Sequence, residues 1–433
     1  MSFLAPLRHT PFRFLLAGRT INTFGNAVAP VALAFAVLDL TGSPRDLGLV
    51  VGARMLVNVL FLLFGGALAD RMPKHRLMVG SSLAAAVTQG AVAALILSGT
   101  ATIPLLIGIS AVNGMVSALA LPASSSILPQ LVPAGIRQQA IALSRLAFNG
   151  AYIVGAPLGG VIVAGVGPGW GIAVDAVTFL LSAGAFALLR VPAGATTAAP
   201  SAAAATGAGP PAEPERTGIL ADLRSGWSEF RSRTWLWVVV TAFAAINVAL
   251  SGGMSVLGPV VADATVGRRA WGFVLAAQTL GMMLGALVAM RVTVSRLLFL
   301  GVLCTAFEVL PVLTLGVRPH LGLLLAAAFL AGLGIEQFVV AWETSMQEHV
   351  PADKLARVYS YDMVGSFVAI PVGQVAAGPI AQAVGVEPTL VGAAVLIGLA
   401  VAAMLASRDV RNLRHRPATS PRPAEPVMEE SSR

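Results

Sequence analysis

The sequence predicts an all-α integral membrane protein, with twelve transmembrane helices in two pseudo-symmetric six-helix bundles. Three observations predict this class. Of the 433 residues, 56% are hydrophobic and only 11% are charged, and the mean hydropathy is +0.82, which excludes an ordinary soluble enzyme. A membrane-spanning helix needs about 20 apolar residues, so twelve use roughly 240, close to the whole hydrophobic content of the chain. The third observation is a weak internal repeat, described below.

Apolar runs between clusters of turn-forming and charged residues place six spans in each half of the chain. In the first half the spans lie near residues 14–39, 46–69, 77–98, 102–128, 138–166 and 170–189. In the second half they lie near residues 235–261, 270–290, 297–317, 321–346, 358–384 and 388–406. An even number of spans leaves both termini on one side of the membrane.

A linker at residues 191–234 separates the two bundles, which we assign to residues 1–190 and 235–407. Residues 193–215 are mostly Ala, Pro, Gly and Thr with almost no charge. Such a composition can bury little apolar surface, so this stretch is predicted to be flexible.

An amphipathic helix is predicted just before the seventh span, where Leu220, Leu223, Trp227 and Phe230 recur at helical spacing. We expect it to lie on the membrane surface. The tail at residues 408–433 is basic and rich in proline, and it is predicted to be disordered.

The positive-inside rule orients the bundle, because basic residues that flank spans stay cytoplasmic. Four of the 28 Lys and Arg residues fall in loops on the side opposite the termini: Arg45, Arg268, Arg269 and Arg318. Both termini are therefore predicted to be cytoplasmic, and the pI near 10.8 follows from topology rather than from nucleic-acid binding. The preference for Arg over Lys, with abundant Ala, indicates a GC-rich bacterial genome, so the expected location is the bacterial inner membrane.

The internal repeat has an offset of 218 residues. Val132-Pro133-Ala134 falls on Val350-Pro351-Ala352, while Gly155 falls on Gly373 and Gly160 on Gly378. A duplicated six-helix unit places a substrate path near the midplane, where the two halves meet.

The strongest local motif follows the second span and reads Gly66-Ala67-Leu68-Ala69-Asp70-Arg71-Met72-Pro73-Lys74-His75-Arg76. It resembles the signature loop of the major facilitator superfamily, from which it departs at Pro73 and His75. Residues 38–43, 174–179 and 342–362 are similar to the branch that holds the enterobactin exporter and the macrolide efflux proteins. The resemblance covers roughly residues 10–406. It implies the major facilitator fold and a cavity lined by spans one, four, seven and ten.

The signature loop suggests a gating latch formed by Gly66, Asp70, Arg71, Arg76 and Asp362. Asp70 ends a helix, where its carboxylate can face the positive N-terminus of another helix. The resemblance implies that this loop packs against the eleventh span near Asp362, so a contact with Arg71 would form and break as the protein opens and closes. The alternative is that these charges only set the topology.

The fifth span carries Gly155, Pro157, Gly159 and Gly160, which resemble the antiporter motif G-P-x-x-G-G with the proline displaced by one residue. Family members with this motif are mostly exporters. On the residues alone, a close-packed helix crossing explains the glycines equally well.

Polar residues inside spans are candidates for function. On the first span four of them recur at i, i+3, i+4 and i+7 and so share one face. We expect the cavity to be lined by Arg19, Asn22, Thr23 and Asn26 on span one, Asn113 and Ser117 on span four, Asn247 and Ser251 on span seven, and Gln337 on span ten. For the Ser and Thr members, hydrogen bonds between helices are an alternative. Arg54 and Arg145 are expected to be structural.

Three acids inside spans, Glu336, Glu343 and Glu308, are candidates for proton coupling. Glu336 is the first choice because it lies near the predicted midplane and shares a helix face with Glu343. An ion pair with Arg145 or Arg357 is an alternative role for Glu343. Glu308 lies on the ninth span, which in the family is peripheral.

The predicted function is proton-coupled efflux of a small apolar or amphipathic compound, such as an antibiotic, through an apolar cavity with few fixed charges. The predicted partners are that compound, protons and the lipid bilayer; we expect no cofactor or metal and a monomeric state. Uptake of a metabolite by the same fold is the alternative, and a dense set of hydrogen-bonding groups in the cavity would favour it. A non-transporting sensor or scaffold would need a folded soluble domain, which neither the linker nor the tail can form.

Overall fold

The computed structural model describes residues 4–71, 73–189, 227, 230–291 and 294–415. In the first half the helices are α1 (Thr10–Thr41), α2 (Pro44–Arg71), α3 (Lys74–Leu97), α4 (Ile103–Leu131), α5 (Arg137–Val166) and α6 (Pro168–Ala187). In the second half they are α7 (Thr234–Ala264), α8 (Arg268–Ala289), α9 (Leu297–Val317), α10 (Leu321–His349), α11a (Ala352–Phe367), α11b (Ala369–Val384) and α12 (Val386–Ala406).

Each predicted span falls on one of these helices, with ends that differ by a few residues. Among the described residues, ten helices are long and apolar enough to cross a membrane, and α4 adds an apolar stretch at Ile103–Leu119. The all-helical membrane fold is therefore confirmed. The boundary at α11 differs most, because the helix begins at Ala352 in a polar stretch that a hydropathy window leaves out.

Three of the described helices contain breaks that the sequence analysis did not predict, and one of these breaks divides α11 between Phe367 and Ala369. In α7 a π-helical turn covers Ser251–Leu257, and in α9 a 3-10 turn covers Thr305–Glu308. The π turn contains Gly252 and Gly253, where the missing side chains let α7 approach its neighbours closely.

Each half packs as a bundle of its own. In the first half α1 packs against α5 and α6, α2 against α4, and α3 against α4 and α6. In the second half α8 packs against α10, α7 against α12 and α11b, and α9 against α10 and α12. The halves meet through α5 with α8 and through α2 with α11b.

The bundle has two ends. We call the end that carries residues 10, 234 and 406 the terminus face, and the end that carries the α1–α2 and α7–α8 turns the far face. Gly42, at φ +63°, ends α1 in the left-handed region at the far face and allows the sharp turn into α2.

The linker and the tail are described only in part. Residues 193–215 and two positions of the predicted amphipathic helix, Leu220 and Leu223, lie outside the described residues. Trp227 stacks on Phe230 with ring centroids 5.7 Å apart, and both rings pack against Tyr361 of α11a. The tail, predicted to be disordered, begins with a short helix at Arg408–Asn412, and its residues beyond 415 lie outside the description.

Candidate functional site: a cavity between two six-helix halves

Glycines close the far face, where the helices of the two halves come together. A Cβ atom at Gly160 of α5 would lie 2.9 Å from the carbonyl oxygen of Arg268, at the start of α8. A Cβ at Gly378 of α11b would lie 2.7 Å from the carbonyl oxygen of Pro44, at the start of α2. Backbones this close leave no room for a side chain, so both contacts require glycine.

A second pair of contacts lies one turn deeper. A side chain at Gly272 of α8 would collide with the carbonyl oxygen of Ala156 on α5, and one at Gly48 of α2 would collide with that of Gln374 on α11b. The two contacts are related by the internal repeat, because α2 and α8 are the second helices of their halves and α5 and α11 the fifth. The far face is therefore closed by a pseudo-symmetric set of backbone contacts.

Arg268 adds an ionic contact at the same face. Its guanidinium lies 2.5 Å from Oδ1 of Asp39, which belongs to α1 in the other half, and 2.7 Å from Oδ1 of Asp263 in its own half. It also lies 5.0 Å from the centre of the Phe35 ring. Asp39 and Asp263 end the first helices of their halves, so one arginine bridges repeat-related aspartates.

The antiporter-like motif of α5 serves two interfaces. Gly155 and Gly159 lie against α1, at Phe24 and Val28, within the first half. Gly160 faces α8 of the second half, and Pro157 lies inside the helix beside Gly272. The helix-crossing role that the glycines alone suggested is therefore present, and part of it joins the two halves.

The gating motif is visible only in part. Gly66, Asp70 and Arg71 fall within the length of α2, but their side chains lie outside the described residues. Arg76 is exposed at the start of α3. Asp362 accepts a hydrogen bond of 3.1 Å from the indole nitrogen of Trp342 on α10, in its own half, and α11a packs mainly against α7 and α11b.

One cavity lies within the first half and has a volume of about 320 Å³. We call it the first-half cavity. Its apolar lining includes Met78, Phe179 and Phe186. Its polar lining consists of Arg19, Asn22, Thr23 and Asn26 from α1, Arg54 from α2, Ser81 and Ser82 from α3, and Ser117 from α4.

A second cavity, of about 450 Å³, lies between the halves. We call it the central cavity. The first half contributes Arg54, Asn58, Ser117 and Tyr152, among others, and the second half contributes Met254, Ser255, Trp271, Gln278 and Gln374. Arg54 and Ser117 line both cavities, so the two spaces adjoin at these residues.

The charges around these cavities differ from the expectation of few fixed charges. Arg19 and Arg54 line them, and no acidic side chain lines either one in the described part of the chain. The guanidinium of Arg19 lies 4.4 Å from the centre of the Phe148 ring, a cation–π contact that holds it in place. The fixed charges that the described residues bring to the two cavities are therefore positive.

Several residues expected at the cavity hydrogen-bond to neighbouring helices. Asn113 donates to Thr88 of α3 at 2.9 Å, and Gln337 donates to the carbonyl oxygen of Gly285 at 2.6 Å. Asn247 donates to the carbonyl oxygen of Ser366 at 3.1 Å and Ser251 to that of Ile370 at 2.9 Å. These four residues line neither cavity, whereas Arg19, Asn22, Thr23, Asn26 and Ser117 do.

The three acids proposed for proton coupling occupy different surroundings. Glu336 is half-buried against α8, where a Cβ at Gly285 would lie 3.0 Å from its own Cβ, and it interacts electrostatically with Arg145 from the first half. Glu343 is exposed. Glu308 lies in the 3-10 turn of α9 and is only 2% exposed, and its Oε2 atom has no hydrogen-bond partner among the described residues.

Sequence reasoning missed a buried polar network in the first half. Asp175 of α6 is wholly buried; Gln89 of α3 donates to its Oδ2 atom, and Arg54 interacts with it electrostatically. Arg54, which we expected to be structural, also lines both cavities. An aspartate inside an apolar helix was the available signal, but its partners come from distant parts of the sequence.

Comparison with known proteins identifies the family. A family model described as transmembrane secretion effector matches residues 1–431. The chain is 27% identical over 410 residues to the multidrug efflux pump Tap of Mycolicibacterium fortuitum. The aligned region covers 89% of this chain and 91% of Tap. The chain is also 26% identical over 384 residues to the MFS-type transporter YfiS of Bacillus subtilis (strain 168). That aligned region covers 86% of this chain and 87% of YfiS.

Solved structures show the same fold. A bacterial homolog of the human lysosomal transporter Spinster, inward-facing and unoccupied, matches with a TM-score of 0.69 at 16% identity, over 96% of this chain and 100% of that chain. The nucleoside transporter NupG matches with a TM-score of 0.67 at 13% identity, over 92% of this chain and 100% of that chain. The chain is therefore a membrane transporter that belongs to the transmembrane secretion effector family of the major facilitator superfamily.

Proposed function

We propose that the protein exports small amphipathic compounds in exchange for protons, by alternating access between its two halves. The observation that carries the proposal is the central cavity, which both halves line and which lies behind a closed far face. A site between two rigid bundles can be exposed to each side in turn. Similarity to a multidrug efflux pump supports the direction of transport.

The closed far face indicates the conformational state of the transporter in this structure. The contacts between the halves include the starts of α2 and α8, whereas the contacts of α11a with the described residues lie mainly within its own half. If basic loops mark the cytoplasm, the far face is external, and the structure corresponds to a state open towards the cytoplasm. Export would then begin with capture of the compound from the cytoplasm or the inner leaflet.

The lining narrows the class of compound. A hydrogen-bonding wall in the first-half cavity and an aromatic and Met-containing wall in the central cavity suit a compound with one polar and one apolar end. Because Arg19 and Arg54 supply the fixed charge, we propose neutral or anionic amphiphiles rather than cations.

Of the three acidic residues that the sequence analysis selected, Glu336 has the surroundings that best support a role in proton coupling. It is half-buried and interacts with Arg145 across the two halves, so its charge state can respond to their relative movement. Glu343 is exposed and Glu308 is sealed within the second half.

The test is accumulation of fluorescent amphiphiles in a pump-deficient bacterium that expresses the protein, with Nile red as the neutral probe and ethidium as the cationic probe. We expect lower accumulation of Nile red, with little change for ethidium, and loss of the effect with a protonophore or in Glu336→Gln. Asp409→Asn, at an exposed aspartate in the tail helix, is the matched control. Unchanged accumulation of every probe would contradict the proposal.

Uptake of a polar metabolite is the second candidate. The observation that favours it is the dense hydrogen-bonding lining of the first-half cavity, which includes Asn22, Asn26 and Ser81. Uptake would raise probe accumulation in the same cells, so the sign of the change separates the two functions.

A further inference from the structure

We propose that Asp175 is a proton-carrying carboxyl in the first half, and that Arg54 couples its charge to the contents of the two cavities. The inference rests on the proposed function, because it names a residue through which proton exchange would act. Asp175 is not one of the three acidic residues that the sequence analysis selected for proton coupling. It lies in the first half of the protein, whereas Glu336 lies in the second.

The packing around Asp175 is built for a carboxyl group. A side chain at Gly25 of α1 would collide with Oδ1 of Asp175 and with Oγ1 of Thr178, so glycine makes the room that the carboxyl occupies. Gln89 donates to Oδ2, and the Thr178 hydroxyl beside the carboxyl donates to the backbone carbonyl oxygen of Asp175 at 2.7 Å, which leaves Oδ1 buried without a hydrogen-bond partner among the described residues. An unsatisfied buried oxygen is costly, and a proton on Oδ1 would lower the cost of burying the group.

Among the described residues, one positive charge, that of Arg54, compensates an ionised Asp175. Helix α6 packs against α1, α3 and α5. From these helices Asp175 meets Gly25 and the neutral Gln89, and α5 contributes Tyr152, which interacts electrostatically with Arg54. Arg54 of α2 is the cation that interacts with Asp175, and Arg19 lies in the adjoining first-half cavity. The charge of Arg54 therefore decides how costly an ionised Asp175 is.

The proton step itself is simple. A hydronium ion or water chain delivers a proton to Oδ1, one O–H bond forms on the carboxyl, and the donor loses the same proton. Release to the other side reverses the step. The route adjoins the first-half cavity, because Phe179 of α6 and Ala85 of α3 line that cavity one helical turn from Asp175 and Gln89.

Arg54 links this step to transport because it lines both cavities. When the cavities contain water, water solvates the guanidinium and Asp175 can be neutral. When a compound fills them, Arg54 loses that water and needs an ionised Asp175 as its counter-charge. Proton and compound therefore disfavour each other, and by linkage each promotes release of the other. Alternating occupancy of this kind produces exchange.

The first test needs no transported compound. Infrared spectra of the purified protein are recorded from acidic to alkaline pH for the wild type, Asp175→Asn and the control Asp409→Asn. We expect a protonated-carboxyl band that titrates in the wild type and the control and is lost in Asp175→Asn. Identical titration of that band in all three proteins would overturn the inference, whether or not the protein exports any probe.

The second test separates coupling from folding, with Nile red in proteoliposomes. We expect Asp175→Asn to retain downhill Nile red exchange and to lose accumulation driven by a pH gradient. Gradient-driven accumulation at the wild-type level in Asp175→Asn would overturn the inference and leave the proposed export standing.

A variant that loses both exchange and gradient-driven accumulation would indicate a structural role for Asp175. Thermal unfolding of the same samples then decides the matter. We expect unfolding temperatures close to that of the wild type, since Asn keeps the size of Asp and can still bond to Gln89. A large drop in unfolding temperature together with loss of exchange would contradict a proton-carrying role.

Discussion

The lack of a side chain at Gly25 allows the carboxyl group of Asp175 to lie where it does. The absence of a side chain on α1 leaves the space that Oδ1 of Asp175 fills on α6. The residue directly after this glycine is Asn26, which carries no charge. The carboxyl group next to Gly25 is instead that of Asp175, which comes from α6.

Gly25→Ala tests this complementarity. The added methyl group would collide with Asp175 and Thr178, and overpacking of this kind costs about 1–3 kcal/mol. We expect a lower unfolding temperature in detergent and weaker gradient-driven transport. Gly90→Ala on α3, where nothing lies within 4 Å of the added atom, is the control, and equal effects of the two substitutions would contradict the packing argument.

Arg19 is expected to select against cations. It lines the first-half cavity with no ion pair from any described residue, so its charge opposes a cationic ligand. We predict that Arg19→Gln raises ethidium efflux relative to Nile red efflux by about tenfold, or ~1.4 kcal/mol. Arg13→Gln, exposed on the same helix, should leave the ratio unchanged. An unchanged ratio in Arg19→Gln would refute selection by this charge.

Part of the cavity could be predicted from the sequence. The spacing of Arg19, Asn22, Thr23 and Asn26 on one face of α1 was sufficient to place them on a shared wall, because helical periodicity is a local property. The electrostatic interaction between Arg54 and Asp175 was not predictable in this way, since it depends on how α2, α3 and α6 pack in three dimensions.

At the scale of helices, the contact between α5 and α8 is the clearest determinant of closure. Gly272 lies directly on the backbone of Ala156, so a side chain there would hold the two helices apart. We predict that Gly272→Val shifts the protein towards a state with the far face open. The measurement is the distance between spin labels introduced at Thr41 and Thr265, both exposed at the far face, in a background without Cys304.

Gly165→Val is the matched control for that experiment. Gly165 lies on α5 beyond Gly160, and nothing lies within 4 Å of an added atom. We expect wild-type distances in this variant and longer ones in Gly272→Val. Equal distances in both would show that the glycine contact does not set the closure.

Helix positions followed from hydropathy because a bilayer requires long apolar runs. The breaks inside helices did not follow. The π turn at Ser251–Leu257 contains no proline, and the 3-10 turn at Thr305–Glu308 lies within an apolar run. Pro259 and Pro311 follow these two turns closely, and a proline cannot donate a backbone hydrogen bond to the preceding turn. The sequence therefore carries a signal for both breaks that hydropathy alone does not use.

For the whole molecule, Arg268 acts as a clamp between the halves at the far face. It bridges Asp39 and Asp263, so separating the halves breaks the bond to Asp39. Because the pair is partly exposed, with side-chain exposures of 23% and 40%, we assign it about 1 kcal/mol. Arg268→Gln should therefore lower the ratio of closed to open far face by about fivefold.

The spin-label pair at Thr41 and Thr265 also measures this shift. Arg269→Gln is the control, because its side chain is exposed at the neighbouring position. We expect a larger fraction of long distances in Arg268→Gln and no change in Arg269→Gln. Indistinguishable distributions would exclude the clamp.

The central claim is that the protein exchanges protons for an amphipathic compound across the membrane, as its two halves move relative to each other. The most direct test uses proteoliposomes that contain this protein alone, with an acidic interior and Nile red outside. We predict accumulation of Nile red inside while the pH gradient lasts, and loss of that accumulation when a protonophore dissipates the gradient. Accumulation that is the same with and without the gradient, or equal to that of protein-free liposomes, would contradict the claim.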